Sequence, residues 1–128
     1  MGNLSEHFSG WEFRCRCGCG FEAVESRLVD SLEILRMGLG GPRIDVNSGC
    51  RCGSHNAEIG GADSSQHLIG RAADIVSPHL SSREIGLVAR ALALTGSLAG
   101  LRGIKIYEGW VHVDIREGER WFAGFPED

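Results

Sequence analysis

A chain of 128 residues and 13.8 kDa fits one compact domain rather than two. Its 42% apolar and 23% charged residues are ordinary for a soluble globular protein, which disfavours disorder and coiled coil. With 13 basic against 17 acidic residues the formal charge is −4, so no phosphate-tracking surface and no nucleic-acid partner are expected.

A domain of this size buries roughly two-thirds of its unfolded surface and needs no disulfide scaffold. The 19 glycines exceed the usual share of about 7% and predict many turns and short elements. No stretch approaches the roughly 20 apolar residues of a membrane span, so no membrane partner is expected. The start, Met1-Gly2-Asn3-Leu4-Ser5-Glu6, has neither the basic residues nor the apolar run of a secretory leader. Glu6 stands where a myristoylation signal needs Ser or Thr. The expectation is synthesis in the cytoplasm without a signal peptide, as a monomer.

Residues 1–20 set Phe8, Trp11 and Phe13 between turn residues, an aromatic-anchored lead-in. Val24, Leu28, Val29, Leu32 and Leu35 form a stripe at helical spacing, which predicts a helix over 21–37. Gly38, Gly40, Gly41 and Pro42 stop it. Ile44-Asp45-Val46 alternates like a strand. Residues 49–65 read as a loop whose length points to function. A second strand is expected over 71–76. Ser81 or Ser82 caps a helix reaching Leu94, with Ile85, Val88 and Leu92 on its apolar side. Residues 104–107 and 111–115 read as a hairpin joined by Glu108-Gly109-Trp110. Trp121 to Phe125 adds an edge strand or covers the core. This mixture predicts an α+β fold over 1–128, an antiparallel sheet flanked by helices.

Five cysteines fall in two tight groups, Cys15, Cys17 and Cys19, then Cys50 and Cys52. Cys-x-Cys is not the usual zinc spacing of Cys-x₂-Cys, but thiols two apart on an extended segment point the same way. Metal ligation, disulfide pairing and plain reduced thiols all stay open. The odd count leaves at least one thiol unpaired within the chain.

The chemistry concentrates in two segments, Ser65-Gln66-His67-Leu68-Ile69-Gly70-Arg71-Ala72-Ala73-Asp74 and Trp110-Val111-His112-Val113-Asp114. Two imidazoles and a carboxylate are the ligand types of an open catalytic zinc site, and suit zinc better than magnesium or calcium. His112 and Asp114 are two apart on a predicted strand and share a face. That leaves three roles open to Asp114: ligand, orienter of a ligand, or actor on the substrate. His7, His55 and His79 read as surface or structural residues, and Asp63 as a turn former. Trp110 reads equally as a core or rim aromatic and as a substrate platform.

The pattern Ser-x-His-x₆-Asp with a later strand His resembles the zinc D-Ala-D-Ala metallopeptidases, peptidase M15, which include cell-wall carboxypeptidases and phage endolysins. More narrowly, the chain is similar to the small-carboxypeptidase branch, with its hedgehog-type fold. The resemblance rests on Leu4-Ser5-Glu6-His7-Phe8, Glu12-Phe13-x-Cys15-x-Cys17-Gly18, Ser48-Gly49-x-Arg51-Cys52, His55-Asn56, Gly60-Gly61-Ala62, Ser65-x-His67 and Val111-His112-Val113-Asp114. It runs from residue 4 to about residue 121. It implies Zn2+ as cofactor and His67, Asp74 and His112 as its ligands. It implies that Arg51 faces the substrate, clamping a terminal carboxylate or a developing oxyanion. Ser65 and Gln66, just before the first ligand, are expected to contact the peptide.

The chain departs from better-known relatives at the general base. Some carry Glu or Asp three residues before the last His, where this chain has Gly109, and others His two before, where it has Trp110. Glu108, four before His112 in the hairpin turn, is the first candidate and Asp114 the second. The resemblance implies a peptidase cleaving peptidoglycan stem peptides near a D-amino acid, as carboxypeptidase or endopeptidase, at the cell wall, and the absence of a leader fits delivery by a phage or prophage. Two other readings stand beside it. One is a non-catalytic zinc-containing module that binds peptide or glycan in a phage or prophage assembly. The other is a decoration on a structural phage protein.

Overall fold

The computed structural model describes residues 2–127; Met1 and Asp128, the two ends of the expected domain, lie outside the described residues. Its elements are α1 (Ser26–Gly38), β1 (Asp45–Ser48), α2 (Gly53–Glu58), β2 (Ala72–Val76), α3 (Ser82–Thr95), β3 (Gly103–Tyr107), β4 (Trp110–Asp114) and β5 (Trp121–Ala123). Short 3-10 turns lie at Gly10–Phe13 and Gln66–Ile69. The strands form one open sheet in the order β1-β2-β4-β3-β5. Pairs are antiparallel except β3 with β5. Residues 115–120 carry the chain past β3, so β5 returns antiparallel to β4 and parallel to β3. The fold is α+β as expected, with a mixed sheet.

Helix α1 buries Leu28, Val29, Leu32 and Leu35, the stripe read from the sequence. It starts at Ser26, later than expected, because the preceding residues are tied elsewhere. The Phe21 carbonyl accepts from the Cys15 amide, the Ala23 amide donates to Cys50 Sγ, and the Glu25 amide donates to the Gly70 carbonyl. Backbone groups spent this way cannot enter a helical ladder. Helix α3 opens on a reciprocal capping box between Ser81 and Glu84 and buries Ile85, Gly86, Ala89 and Ala93. A Cβ at Gly86 would meet Ile106 Cγ1 at 2.3 Å, so this glycine lets α3 lie close on β3.

The loop expected over 49–65 contains α2, which is too short to show helical periodicity. Its first turn is capped by Cys52, whose sulfur accepts from the His55 amide. In the hairpin, Tyr107 pairs with Trp110, and Gly109 takes the positive φ the tight turn requires. Trp121–Ala123 is the edge strand.

Alternation splits the sheet into two faces. Ala73, Ile75, Ile104, Val111 and Val113 join the α1 and α3 side chains, Phe8, Phe13 and Phe125 in one buried core. The opposite row of each strand carries Asp74, Lys105, His112 and Asp114. Ser48 pairs with Asp74, Asp74 with His112, and His112 with Lys105, so register alone sets these residues side by side. The helices and the core hold one face rigid, and the other is free for chemistry.

Gly70 ends the turn that carries His67, with φ 71°, and a Cβ there would meet the Ala23 carbonyl oxygen at 2.8 Å. Gly70→Ala is expected to destabilise the fold by about 1–3 kcal/mol, from left-handed strain and that collision together. Urea unfolding checks it; an unchanged midpoint would mean that the 21–25 segment does not pack on this turn.

Candidate metal centre

Three elements deliver three candidate ligands. His67 sits in the 3-10 turn, where the Ser65 hydroxyl accepts from the His67 amide as its cap. Asp74 lies in β2 and His112 in β4, and they are direct cross-strand partners. One ligand atom from each lies within 4.8 Å of the other two. Asp74 Oδ1 is 3.3 Å from His67 Nε2 and 3.3 Å from His112 Nδ1.

Hydrogen bonds on the far side of each ring decide which nitrogen faces the centre. His67 Nδ1 is 2.6 Å from the Gly49 carbonyl oxygen, which can only accept, so Nδ1 carries the proton. Nε2 is then a bare lone pair, buried and without a hydrogen-bond partner. His112 Nε2 is 2.7 Å from Asp114 Oδ2 and donates to it, which turns the Nδ1 lone pair toward Asp74. Two imidazole lone pairs converging on a carboxylate oxygen repel one another unless a cation or a proton lies between them. A carboxylate–histidine pair and a carbonyl–histidine pair are the usual supports of metal-bound imidazoles. The donor set of two nitrogens and one oxygen fits zinc and leaves a coordination position open.

Asp114 is fully buried with both oxygens engaged. Oδ2 takes His112 Nε2 and Arg116 Nη2 at 2.7 Å each, and Oδ1 takes the Arg116 amide at 3.1 Å and Nε at 2.9 Å. Of the three roles open to it in the sequence, this geometry is that of an orienter. Gly103 makes room for it: a Cβ there would lie 2.2 Å from Asp114 Oδ2. Gly103 and Arg116 were missed in the sequence, and Gly49 stood there only as part of a motif, without its role. The available signal for Arg116 was its place two residues beyond Asp114, on the same face.

Arg51, with a side chain only 12% exposed, donates to Asp74 Oδ2 at 3.3 Å and to Asn56 Oδ1 at 3.2 Å. Asn56 Nδ2 in turn donates to the Ala62 carbonyl. A Cβ at Gly61 would lie 2.1 Å from Asn56 Oδ1, so Gly61 must lack a side chain for the chain to close over this pair. The ligands open onto a cleft of about 520 Å³, also lined by Arg51, Ser65, Gln66, Tyr107, Trp110 and Trp121. Trp110 is thus a rim aromatic, stacked on Tyr107 at 4.5 Å. Gln66 Oε1 is buried without a partner. Glu108 lies exposed in the β3–β4 turn and is not part of the cleft wall.

The charges are strongly coupled. Burial alone would raise the Asp74 carboxyl, but the His112 and His67 imidazoles hold it well below the usual carboxylate range. Burial likewise acts upward on Asp114, and His112 and Arg116 hold it low. Burial would lower His112, yet its bonds to Asp114 and Asp74 raise it above the ordinary imidazole value. In chelator-treated protein, a raised His112 stabilises the fold below the ordinary value of about 6.5 and loses that contribution as pH rises through its shifted pKa. The lowered Asp74 and Asp114 contribute above the ordinary carboxylate value of about 3.9 and lose it as pH falls through theirs. Stability of the chelated protein should therefore peak between these ranges, and metal uptake should release protons and weaken as pH drops below neutrality. Unfolding curves with and without chelator test this; chelated stability that keeps climbing through neutrality would contradict it. Gly103→Ala should weaken zinc binding by roughly 10–100-fold, as loss of an outer support does. Competition against a zinc indicator measures it.

A search of curated proteins gives no match. A family model described as peptidase M15 matches residues 6–114, which takes in the lead-in from Glu6 onward, Arg51 and the three candidate ligands. The family is one of metallopeptidases, so the cleft is that of a peptidase and its substrate class is peptide. On that match, together with the His67–Asp74–His112 centre that the sheet register assembles, the chain belongs to the peptidase M15 family.

Proposed function

We propose that the protein is a zinc-dependent peptidase that hydrolyses peptidoglycan stem peptides near a D-amino acid, acting at the cell wall. The observation that carries the reading is the pair of oriented imidazole lone pairs and the Asp74 carboxylate at the floor of an open, peptide-sized cleft. Zinc held by His67, Asp74 and His112 would polarise a carbonyl and bring the pKa of a water to about 7.

The chain's own residues supply the rest. Arg51 keeps its guanidinium against Asp74 and on the cleft wall, suited to clamp a substrate carboxylate or to stabilise a developing oxyanion. The unpartnered Gln66 Oε1 is an acceptor for a peptide N–H, and the Ser65 hydroxyl lies beside it on the wall. Trp110 and Trp121 offer flat walls for the peptide. Asp114 holds the His112 proton on Nε2 throughout and is a positioning residue. Glu108, exposed and one residue beyond the cleft-lining Tyr107, is the uncommitted carboxylate for proton transfer. Delivery by a phage or prophage fits this substrate.

A second reading has one observation in its favour: among the described residues that line the cleft, Asp74 is the only carboxylate, and it is a candidate ligand. In that reading the zinc-bearing cleft holds a wall peptide or glycan without cutting it.

Metal analysis of wild type and His112→Ala, paired with hydrolysis of defined stem peptides, separates the two. Zinc lost in the variant, with hydrolysis abolished by chelator, is expected; zinc with no cleavage of any stem peptide would establish the binding module. Glu108→Gln should keep its zinc and lower kcat by roughly 10²–10⁴-fold. An unaltered kcat would remove Glu108 from the mechanism.

A further inference from the structure

Away from the cleft, four thiols converge. Cys15, Cys17, Cys19 and Cys52 place their sulfurs within 4.8 Å of one another. Cys15 Sγ and Cys17 Sγ are 3.5 Å apart, and Cys17 Sγ and Cys52 Sγ 3.7 Å. None is in a disulfide. A tetrahedron with Zn–S bonds of about 2.3 Å has S···S edges of about 3.8 Å, close to these separations. We infer that Cys15, Cys17, Cys19 and Cys52 form a second, structural zinc site of four thiolates, distinct from the His67–Asp74–His112 centre.

The local chain is built for this arrangement. Gly18 and Gly20 both take positive φ, which folds the Cys17-Gly18-Cys19-Gly20 segment back on itself. Arg16, between two of the thiols, donates to the carbonyls of Glu12, Arg14, Val46 and Asn47 and so fastens the loop to β1. Backbone amides aim at three of the sulfurs: Cys52 N–H at Cys15, Phe21 N–H at Cys19 and His55 N–H at Cys52, each at 3.4 Å. Amide donors of this kind stabilise thiolate over thiol. The fifth cysteine stands apart: Cys50 is buried, donates to the Phe13 carbonyl at 3.1 Å and accepts from the Ala23 amide. The odd count is thereby four ligands and one buried hydrogen-bonding thiol.

Four thiolates close the coordination shell, so the site has no position for a substrate. On binding, the four thiol protons pass to solvent and the zinc–tetrathiolate unit carries two negative charges. Its reach is structural. Cys52 follows Arg51 and caps α2, and the Cys50 amide beside Gly49 donates to the Phe13 carbonyl. The ion would tie the lead-in to the segment that presents Gly49 to His67 and Arg51 to Asp74.

Elemental analysis of the full chain tests this independently of catalysis. Wild type is expected to hold two zinc ions, His112→Ala one, and Cys17→Ser/Cys19→Ser one. Because Cys17 and Cys19 are exposed, that double variant removes no core packing. Cobalt-substituted wild type and His112→Ala should both show intense thiolate-to-cobalt charge-transfer absorption, lost in the double serine variant. If the serine variant fails to fold, the cobalt spectrum of His112→Ala alone decides. A single zinc in wild type that the serine variant retains, iron in place of zinc, absence of the charge-transfer band, or a mass of the denatured chain showing a disulfide among these cysteines would each overturn the assignment.

Discussion

The cross-strand pairing of Asp74 with His112 is the constraint on which the rest of the molecule depends. It puts a carboxylate beside an imidazole on a sheet whose other face is packed with Val111, Val113, Ala73 and Ile75. A slip of one residue would turn both ligands into that core and the core residues outward. The apolar pattern of the strands therefore holds the register of the metal centre. His67 joins from a separate turn, fixed by the Gly49 carbonyl and by Gly70 against Ala23.

Polar groups around the centre form a nearly closed network. Asp114 spends both oxygens on His112 and Arg116, and Arg51 bridges Asp74 to Asn56. Such buried charges are costly to maintain unless each is paired. Among the described residues, the two buried side-chain atoms without a hydrogen-bond partner, His67 Nε2 and Gln66 Oε1, both belong to cleft-lining residues. One is suited to a metal and the other to a substrate, so the unsatisfied groups mark where external partners belong.

The lead-in, which carries no regular strand, still bears on this centre. Phe8 and Phe13 anchor it in the core, and Arg16 and the thiols fix its loop against β1 and α2. Through Gly49 and Arg51 that loop backs the same residues that orient His67 and Asp74. A small domain with short elements gains rigidity at its site from such cross-links more than from helix or sheet length.

The α1 and α3 stripes, the β3–β4 hairpin and the α+β class were legible in the order of residues, because burial of one face imposes a period that survives in the sequence. The shared face of His112 and Asp114 was legible from strand alternation, whereas the candidate ligand set of His67, Asp74 and His112 came from the motif resemblance and the residue types. Three things were decided only by tertiary structure. Helix α1 starts late because carbonyls and amides of residues 21–25 find partners on Cys15, Cys50 and Gly70, distant in the chain. Asp114 takes the geometry of an orienter because Arg116 and His112 together occupy both its oxygens, which residue spacing cannot specify. Four of the five cysteines meet because Cys52, 33 residues beyond Cys19, is folded back onto the lead-in. Local order sets periodicity and residue type, but which lone pairs face each other depends on contacts between segments far apart in sequence.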